Sequence, residues 1–596
     1  MSQPSSASRD WRILLRLLAY VRPYTRPLLG AVAITLVVSA LGPLRPWLFR
    51  HAIDAATLSN GWVQVLEYGG IIAAMLALHA ALQVAQTYLL QWIGQKTLHD
   101  MRRHVFSHIL RLPFRTIDTT PVGRLVTRAT NDVEALSELF SSGVVMIVSD
   151  ILVLAWILAF MFATDVELTL YSLVVIPLLL IAAAIFRAKV RKVYSAIRVQ
   201  VARMNAFLNE YIQGIATIHL FNFHRQRAQQ FDQINSEHTR LQLRTVTYYA
   251  SFFPVVELLS VLALCLVLYA AFGRTISGTI SIGTIVSFLM YGEMFFRPIR
   301  DLTEKYNVLQ TATTASERIF ALLDQPLDDT DIAPDVVEAR PIEHGIVFDR
   351  VEFSYDGTTT VLQQISLEIP AKKMVAIVGA TGSGKSTIAN LLLKFYRPQS
   401  GSITIDGVEL NRIETASHRR RCAIVLQDAF LFSRSPQENI TLGRELSIEH
   451  LWDKLQRTHP HLTERLRHIE QLQERGASLS AGERQIIALL RAIAGEPQLL
   501  ILDEATAHVD SETERILMEI VSSMRGDATI VVIAHRLATV RSADTIVVLH
   551  HGRIVETGTH RQLLAAGGYY ATLYRLQQLD AQRVTDGTTT TLPTTL

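Results

Sequence analysis

The stretch Met374-Val-Ala-Ile-Val-Gly-Ala-Thr-Gly-Ser-Gly-Lys-Ser-Thr387 determines how the second half of this chain folds. It has the form G-x-x-x-x-G-K-[ST], with an apolar run before it and another, 388–393, after it. A strand, a glycine-rich loop and a helix in this order bind phosphate, because the glycines let successive backbone N–H groups turn inward. The start of the helix adds a positive dipole end. The pattern predicts a nucleotide site whose loop consists of Gly379, Ala380, Thr381, Gly382, Ser383, Gly384, Lys385, Ser386 and Thr387.

Four side chains in and after this loop receive specific chemical roles. Lys385 is expected to reach the β- and γ-phosphates, and the Ser386 hydroxyl to bind Mg²⁺. Downstream, the apolar run Leu499-Leu-Ile-Leu-Asp-Glu504 ends in two carboxylates. Asp503 is placed to hold Mg²⁺ through its water shell. Glu504 is placed to polarise a water molecule for attack on the γ-phosphate.

A third motif, Leu479-Ser-Ala-Gly-Glu-Arg-Gln485, precedes a predicted helix. Ser480 and the backbone of Gly482 would offer hydrogen-bond donors to a phosphate at the helix N-terminus. In isolation the same segment is also typical of an ordinary N-capped helix. Because the chain already has one phosphate-binding loop, a second phosphate-contacting segment indicates that it serves the nucleotide of a partner chain. The motif therefore predicts a dimer.

The first half of the chain has the composition of a membrane domain. Hydrophobic residues make up 49% of the 596 residues, and the formal net charge of +3 does not indicate a nucleic-acid partner. Cys265 and Cys422 have no metal or disulfide spacing, and we expect both to be buried, inert thiols. The apolar segments with the length or pattern of membrane spans are Pro27–Phe49, Gly69–Ile93, Gly143–Ala163, Leu168–Phe186, Phe252–Phe272 and Ile282–Phe296.

Lysine and arginine are concentrated before the first span and in the two long connections that follow the second and fourth spans. By the positive-inside rule, both termini and both connections are predicted to be cytoplasmic. The opposite connections nearly lack these residues; Arg50 and Arg274 are exceptions, and Arg45 lies near that end of the first span. Residues 9–22 predict an amphipathic helix on the cytosolic membrane surface.

The two long connections keep a helical pattern, which predicts helices that project into the cytosol. We expect them to turn back near Phe114–Arg124 and Asn209–His219. Glu257, Glu293 and Arg297 would be costly facing lipid, so each contacts substrate or ions, or forms a structural or interfacial contact. For Arg297, beside Pro298, the structural interpretation is favoured.

The second half alternates short apolar strands with helices, beginning with strands at 346–353, 361–369 and 374–378. The predicted organisation is an N-terminal amphipathic segment (1–26), a six-helix transmembrane domain (27–323), a linker (324–342), a nucleotide-binding domain (343–580) and a disordered tail (581–596).

Taken together, these motifs resemble those of ATP-binding cassette (ABC) transporters over residues 10–580. Six spans followed by one cassette are similar to exporter-fold half-transporters (type I, also called type IV). Segments 301–310 and Leu442–Glu445 look most like bacterial multidrug-resistance-like half-transporters of the Mdl type. The resemblance implies an all-α six-helix transmembrane domain followed by an α/β P-loop NTPase domain.

The implied activity is ATP-driven export of small hydrophobic or amphipathic molecules (drugs, lipids or peptides) by alternating access. ATP and Mg²⁺ are the implied cofactors, and the bacterial inner membrane is the implied location. The implied partner is a second half-transporter; the Mdl-type resemblance favours a heterodimer, and a homodimer is the alternative. An importer of a siderophore-like ligand and an ATP-gated channel stay open as alternative functions.

The resemblance also assigns roles to residues outside the phosphate-binding loop. Tyr355 matches the aromatic residue that stacks on adenine, and Gln427 matches the Q-loop glutamine that touches Mg²⁺ and the attacking water. The family signature corresponds to Ser480, Gly482 and Glu483, the D-loop aspartate to Asp510, and the histidine that contacts the γ-phosphate to His535. The chain departs from the common family pattern at Ala481, Glu483 and Ala507, where many members have glycine, glutamine and serine.

Overall fold

The computed structural model describes residues 6–57, 61–276, 279–327, 335–504, 509–534 and 540–586. Two compact units divide the chain: residues 1–110 with 122–325, and residues 111–121 with 326–596. The short segment 111–121 therefore belongs to the same unit as the phosphate-binding loop.

Helices build the first unit. Their bounds, with the one helix of segment 111–121 included in chain order as α4, are α1 Ser6–Val21, α2 Thr25–Ala56, α3 Trp62–Leu110, α4 Phe114–Thr119, α5 Val122–Thr127, α6 Val144–Thr164, α7 Val166–Leu173, α8 Ile176–Gln213, α9 Ile215–Leu220, α10 His224–Ile276 and α11 Ile282–Leu323.

Apolar helices long enough to cross a membrane account for the predicted spans. Within the described residues there are five by length and composition: 15–56, 62–110, 147–164, 166–213 and 224–276. The sixth predicted span is the shorter apolar stretch Ile282–Phe295 at the start of α11. This helix continues without a break through Pro298 to Leu323. Along the projecting part of α3, Leu98, Met101 and Val105 are completely buried, which matches the predicted helical periodicity.

Three details of this unit differ from the sequence prediction. The fourth span is interrupted after Leu173, and α8 begins at Ile176. Pro177, in the first turn of α8, explains the break because proline cannot donate the backbone hydrogen bond that continues a helix. The second predicted turn lies at 214–223, later than predicted, because α8 continues to Gln213. Cys265 is exposed, so its predicted burial was wrong.

The second unit contains two sheets. One is antiparallel, with the order β2-β1-β4-β5; the other has the order β10-β9-β3-β8-β7-β6 and is parallel except for β10. The strands are β1 Gly345–Phe353, β2 Leu362–Pro370, β3 Met374–Gly379, β4 Ser400–Ile405, β5 Val408–Glu409, β6 Cys422–Val425, β7 Leu499–Asp503, β8 Thr529–Ile533, β9 Thr545–His550 and β10 Arg553–Gly558.

The parallel strands place the chemistry-bearing loops at one edge. Strand β3 pairs with β8 and β9, and β7 pairs with β8 and β6. The interior of these strands is almost wholly buried, as expected for a sheet covered on both faces. Because carboxyl ends of parallel strands share one edge of a sheet, the loops after Gly379, Val425 and Asp503 meet there.

Helices surround this sheet. They are α12 Lys385–Leu392, α13 Thr415–Arg420, α14 Pro436–Thr441, α15 Glu449–Thr458, α16 Pro460–Arg467, α17 Ala481–Ile493, α18 Ser511–Ser522, α19 His560–Ala566 and α20 Tyr569–Asp586.

Segment 111–121 is held in this unit by aromatic and polar contacts. Phe114 stacks on Phe395 with ring centroids 4.3 Å apart, and the Tyr396 hydroxyl donates to Asp118 at 2.6 Å. Burial, with a smaller contribution from the bond to Asp118, raises the pKa of Tyr396, so the tyrosine stays a neutral donor. These contacts fix the first predicted turning point, Phe114–Arg124, at its N-terminal half.

Candidate nucleotide-binding site

The phosphate-binding loop follows β3 in a conformation that requires glycine. Gly382 and Gly384 have φ angles of +80° and +102°, a region that residues with a Cβ rarely adopt. At Gly379 an added Cβ would lie 2.7 Å from the Ser383 hydroxyl oxygen. The loop therefore curls tightly between the end of β3 and the start of α12, as the motif predicted.

Lys385, the first residue of α12, folds back over this loop. Its Nζ donates to the carbonyl oxygens of Gly379 at 2.9 Å and Ala380 at 3.1 Å. Only 6% of the residue is exposed, and burial lowers the pKa of its ammonium group, while Glu504 and Asp503 nearby oppose the shift. The loop thus carries a largely desolvated cation, which suits it to the oxygens of a polyphosphate.

A helix and a strand contribute to the predicted metal position. The Ser386 hydroxyl donates to Asp503 Oδ1 at 3.2 Å, which joins the start of α12 to the end of β7. Burial raises the pKa of Asp503, and the neighbouring Glu504 charge raises it further. A hydroxyl and a carboxylate are oxygen ligands of the kind that Mg²⁺ prefers, and a cation here would offset the buried negative charge. The residues present therefore fit a magnesium ion.

Glu504 occupies an unusual backbone conformation directly after β7. Its φ is +50°, and its N–H donates to the Ile533 carbonyl on β8 at 3.0 Å. A residue with a Cβ in the left-handed region carries strain, which proteins retain most often at functional sites. The turn places the carboxylate at the sheet edge beside Asp503, where the sequence predicted the catalytic base.

Tyr355 lies against the first turns of α12. Its hydroxyl donates to Thr387 Oγ1 at 3.1 Å and accepts from Asn390 Nδ2 at 3.2 Å. The Tyr396 ring packs perpendicular to it with centroids 5.0 Å apart. In addition, Arg115 donates to the Tyr355 carbonyl at 3.1 Å, so segment 111–121 touches the residue predicted to stack on adenine. The stacking itself stays a prediction.

Gln427, the predicted Q-loop glutamine, follows β6 and is exposed. The backbone around it is held by Gln485 of α17, whose amide donates to the Leu426 carbonyl at 3.0 Å and also to the Gln427 carbonyl. None of the sequence motifs assigns a role to Gln485. Its signal would have been a polar residue on the buried face of an amphipathic helix, which needs a hydrogen-bond partner.

The signature segment is arranged as a helix cap. Ser480 Oγ accepts from the Glu483 N–H at 3.2 Å, and the Glu483 carboxylate accepts from the Ser480 N–H at 2.8 Å, a complete capping box. Buried Glu483 also pairs with Arg465 at 3.1 Å. An added Cβ on Gly482 would lie 2.7 Å from the Thr513 hydroxyl oxygen, so glycine permits the close approach of α17 to α18.

Asp510, the predicted D-loop aspartate, caps α18. Its carboxylate accepts from the Thr513 N–H at 3.0 Å and the Thr513 hydroxyl at 2.7 Å, and the first of these bonds contributes most to lowering its pKa. Thr513 therefore touches both Gly482 and Asp510. Among the residues that the structure describes, no hydrogen bond or ion pair joins 480–483 to the phosphate-binding loop.

The structure thus brings together the loop 379–387, Asp503 and Glu504, with Tyr355 alongside. Ser480, Gly482, Glu483 and Asp510 form a second group around the facing ends of α17 and α18. His535 lies outside the described residues.

These features define a class of protein: a P-loop nucleotide-binding unit on a chain with several apolar helices long enough to span a membrane. Comparison with known families identifies the family. Residues 28–299 match the ABC transporter transmembrane region, and residues 362–507 match the ABC transporter ATPase domain. The chain belongs to the ABC transporter family and is a multi-pass membrane protein with one membrane region and one ATPase domain.

Full-length relatives support this assignment. The chain is 36% identical to the uncharacterised ABC transporter ATP-binding protein YknV of Bacillus subtilis, over 95% of each chain. It is 31% identical to a B. subtilis protein with the provisional name multidrug export ATP-binding/permease protein YgaD, over 95% of this chain and 100% of the relative. It is 33% identical to the ATP-dependent lipid A-core flippase of Alkalilimnicola ehrlichii, over 97% and 98%.

The expectations from the sequence resemblance are confirmed at this level. The chain is an ABC half-transporter that couples ATP hydrolysis to transport, and its relatives support export rather than import or channel activity.

Proposed function

We propose that this half-transporter moves small hydrophobic or amphipathic molecules (drugs, lipids or peptides) out of a bacterial cell across the inner membrane by alternating access. The observation that carries the proposal is the group formed by buried Lys385, the bonded pair Ser386 and Asp503, and Glu504 beside Asp503, in a chain with apolar helices. The names of relatives, a multidrug exporter and a lipid A-core flippase, support a hydrophobic cargo. Cytoplasmic termini are supported by the distribution of lysine and arginine.

Each residue of the cluster has a proposed task. The backbone N–H groups of the loop and Lys385 bind the phosphates of ATP, and Tyr355 stacks on the adenine. Ser386, Asp503 and Gln427 hold Mg²⁺, which would neutralise charge on the β- and γ-phosphate oxygens. Glu504 accepts a proton from the attacking water, and His535 contacts the γ-phosphate. The strained backbone of Glu504 and its bond to Ile533 support a fixed position for that base.

Two cassettes complete each site in this proposal. Ser480, Gly482 and Glu483, with Asp510 nearby, contribute to the nucleotide held by the other chain. The exposed N-cap residue Ser480 and the lack of a described bond between residues 480–483 and the loop of their own chain support this division. ATP then favours the closed pair because its γ-phosphate contacts both chains, and hydrolysis removes those contacts. The partner is a second half-transporter; a heterodimer is favoured, and a homodimer is the alternative.

The test replaces the proposed base and follows both halves of the activity. Glu504→Gln should retain ATP binding but lose most ATP turnover in the purified complex, because the amide cannot accept the proton. A suitable control is Glu496→Gln, which changes an exposed glutamate near the opposite end of β7. Near-normal ATPase activity of Glu504→Gln would contradict the assignment of the base.

Transport is measured in inside-out vesicles after a fluorescent hydrophobic dye is added to the outside solution. ATP-dependent uptake into wild-type vesicles, absent with Glu504→Gln, is expected for an exporter. Movement in the opposite direction, or a steady ATP-gated ion current without dye flux, would contradict export. The intact mass of the complex purified from its native membrane separates a homodimer from a heterodimer.

A further inference from the structure

The membrane helices carry arginines at the end where the positive-inside rule disfavours them. Arg45 and Arg50 lie on α2, and Arg274 lies on α10 near its end. A guanidinium group at or below the membrane surface needs water, a carboxylate or a ligand, because its desolvation is costly. The structure explains these three arginines to very different degrees.

Arg274 has a complete structural explanation. It donates to the two carboxylate oxygens of Asp165 at 3.1 and 2.9 Å and pairs with Glu167 at 3.0 Å. Asp165 also caps α7 by accepting from the Leu168 N–H. This ion pair ties the start of α7 to the end of α10, so Arg274 needs no ligand.

Arg50 is only partly compensated. Its Nε lies 3.8 Å from Asp54 Oδ2, one turn further along α2. The same carboxylate accepts from the Ser281 hydroxyl at 2.9 Å and from the Gly283 N–H at 3.0 Å. Asp54 therefore also accepts two hydrogen bonds from the start of α11. Among the described residues, this shared carboxylate is the acidic partner of Arg50, and no described carboxylate pairs with Arg45.

Arg45 is not compensated by any described residue. Its Nε is buried without a hydrogen-bond partner, and no ion pair involves the side chain within the part of the chain that the structure describes. It lies eleven residues before the end of α2, which is about 16 Å along a helix. Pro43 and Pro46 flank it and withdraw two backbone N–H donors, so this turn also has carbonyl groups without their usual helical partners.

We propose that Arg45 binds the anionic group of an amphiphile. The chemical class is a phosphate, sulfate or carboxylate headgroup on a hydrocarbon chain. A guanidinium presents paired donors that match an oxyanion, and the apolar helices beside it suit the chain. The inference rests on the proposed transport function and narrows its cargo to anionic amphiphiles.

Two acidic residues of the same domain favour the alternative that the cargo is a cation. Glu257 and Glu293 are exposed on the described chain, and a cationic cargo would pair with them. The Nε of Arg45, in contrast, is buried without a hydrogen-bond partner, so the argument from burial applies to Arg45 and not to these two residues. The balance therefore favours an anion at Arg45.

The experiment compares three amphiphiles with the same twelve-carbon chain: dodecyl phosphate, dodecylphosphocholine and dodecyltrimethylammonium. Equilibrium binding of each radiolabelled compound is measured without nucleotide on the full complex in phosphatidylcholine nanodiscs. Wild type should bind dodecyl phosphate about tenfold more tightly than the other two, and Arg45→Gln should lose that preference. Arg45→Lys should keep part of the preference, since lysine retains the positive charge but lacks the paired N–H donors of the guanidinium group. The matched control Arg274→Gln removes an arginine that already has carboxylate partners, and it should keep the full preference.

Several outcomes overturn the inference. A wild-type preference for the ammonium compound would point to the acidic residues instead, and this comparison needs no variant to fold. Equal binding of dodecyl phosphate by wild type and Arg45→Gln would remove Arg45 from the site. If phosphatidylglycerol in the nanodisc abolishes dodecyl phosphate binding and vesicles never transport dodecyl phosphate, the anion is a resident lipid and the cargo assignment is wrong.

Failure of the inference is distinguishable from failure of the proposed function. Arg45-dependent binding of dodecyl phosphate with no ATP-driven movement of any amphiphile would keep the anion site and contradict transport. Conversely, ATP-driven movement of the neutral or cationic compound without Arg45-dependent anion binding would keep transport and contradict the site.

Discussion

The phosphate-binding loop and the signature segment are both proposed to contact phosphate, yet they are held in place differently within one chain. The loop is tied to a distant strand, because Ser386 on α12 bonds to Asp503 on β7, and Lys385 is buried over its own loop carbonyls. The signature segment closes on itself through Ser480 and Glu483 and packs on the neighbouring helix α18.

In the proposed two-chain site, this difference assigns the pre-organised part of the site to the loop and β7 of one chain. Catalytic electrostatics work best when charged groups are fixed before the substrate arrives, and the loop and β7 achieve this through long-range contacts. A capped helix N-terminus costs little to maintain and stays exposed at Ser480, so it is available to a second chain. Substitutions in the phosphate-binding loop and in the signature segment separate their two contributions.

Replacing the buried lysine should have the largest effect. Lys385→Ala removes the only lysine described on the loop, and ATP affinity and turnover should each fall by a factor on the order of a hundred or more. A titration with a fluorescent ATP analogue and a steady-state ATPase assay measure the two quantities. The control is Lys373→Ala, which removes an exposed lysine just before β3. Unchanged nucleotide affinity in Lys385→Ala would contradict the phosphate contact.

Splitting the two segments between chains tests whether one site uses both chains. In a complex of two copies, Lys385→Ala in one and Ser480→Arg in the other leaves one site with an intact loop and an intact signature. That complex should retain about half of the ATPase activity if the sites act independently. Differently tagged copies allow purification of the mixed complex by two affinity steps.

The matched control places both substitutions in one copy and pairs it with an unchanged copy. Each site then has one damaged segment, so activity should be close to background, although the same residues are changed in total. The reverse result, background activity in the split complex and about half of the activity in the control, would show that the loop and the signature of the same chain act together. For a heterodimer, the same design divides the substitutions between the two different chains.

Local patterns and distant contacts differed in how well the sequence revealed them. The strands predicted at 346–353, 361–369 and 374–378 lie within one residue of β1, β2 and β3, because buried strands read as short apolar runs between turn residues. The loop motif was equally visible, since its glycines and lysine are adjacent in sequence. Asp503, at the end of β7, bonds to Ser386 beside the loop after β3 because parallel strands end at one edge of the sheet, and the Mg²⁺ role of both residues stays a prediction.

Features that depend on tertiary approach escaped prediction. The hydrogen bonds that the Gln485 side chain donates to the Q-loop backbone join residues nearly sixty positions apart, and no local pattern encodes them. The approach of Gly482 to Thr513 likewise depends on how α17 packs against α18. The interruption of the fourth span after Leu173 was missed because hydropathy averages over a window, although Pro177 was a local signal for it.

The packing of the signature helix predicts an intermediate effect. Gly482→Ala places a methyl group 2.7 Å from Thr513 Oγ1 and should destabilise the cassette by about 1–3 kcal/mol. Thermal unfolding of the complex, followed together with ATPase activity, measures this effect. Adding Thr513→Ala removes the clashing atoms but also one bond to Asp510, so it should restore part of the lost stability. If the single and double variants are equally destabilised, the close approach is not the cause.

The smallest effect is expected where the signature helix α17 contacts the Q-loop of the same chain. Gln485→Leu removes the amide that bonds to the Leu426 carbonyl at 3.0 Å and to the Gln427 carbonyl, at a cost of about 1 kcal/mol. Hydrogen exchange at 426–428 should become faster and ATPase activity should fall a few-fold, while ATP affinity at the loop stays unchanged. Gln498→Leu is the control. Gln498 lies just before β7, and its side chain accepts a hydrogen bond from the Ile342 N–H rather than contacting the Q-loop backbone. Faster exchange in both variants would mean general loosening; faster exchange in Gln485→Leu alone would show that the signature helix positions the Q-loop independently of the phosphate-binding loop.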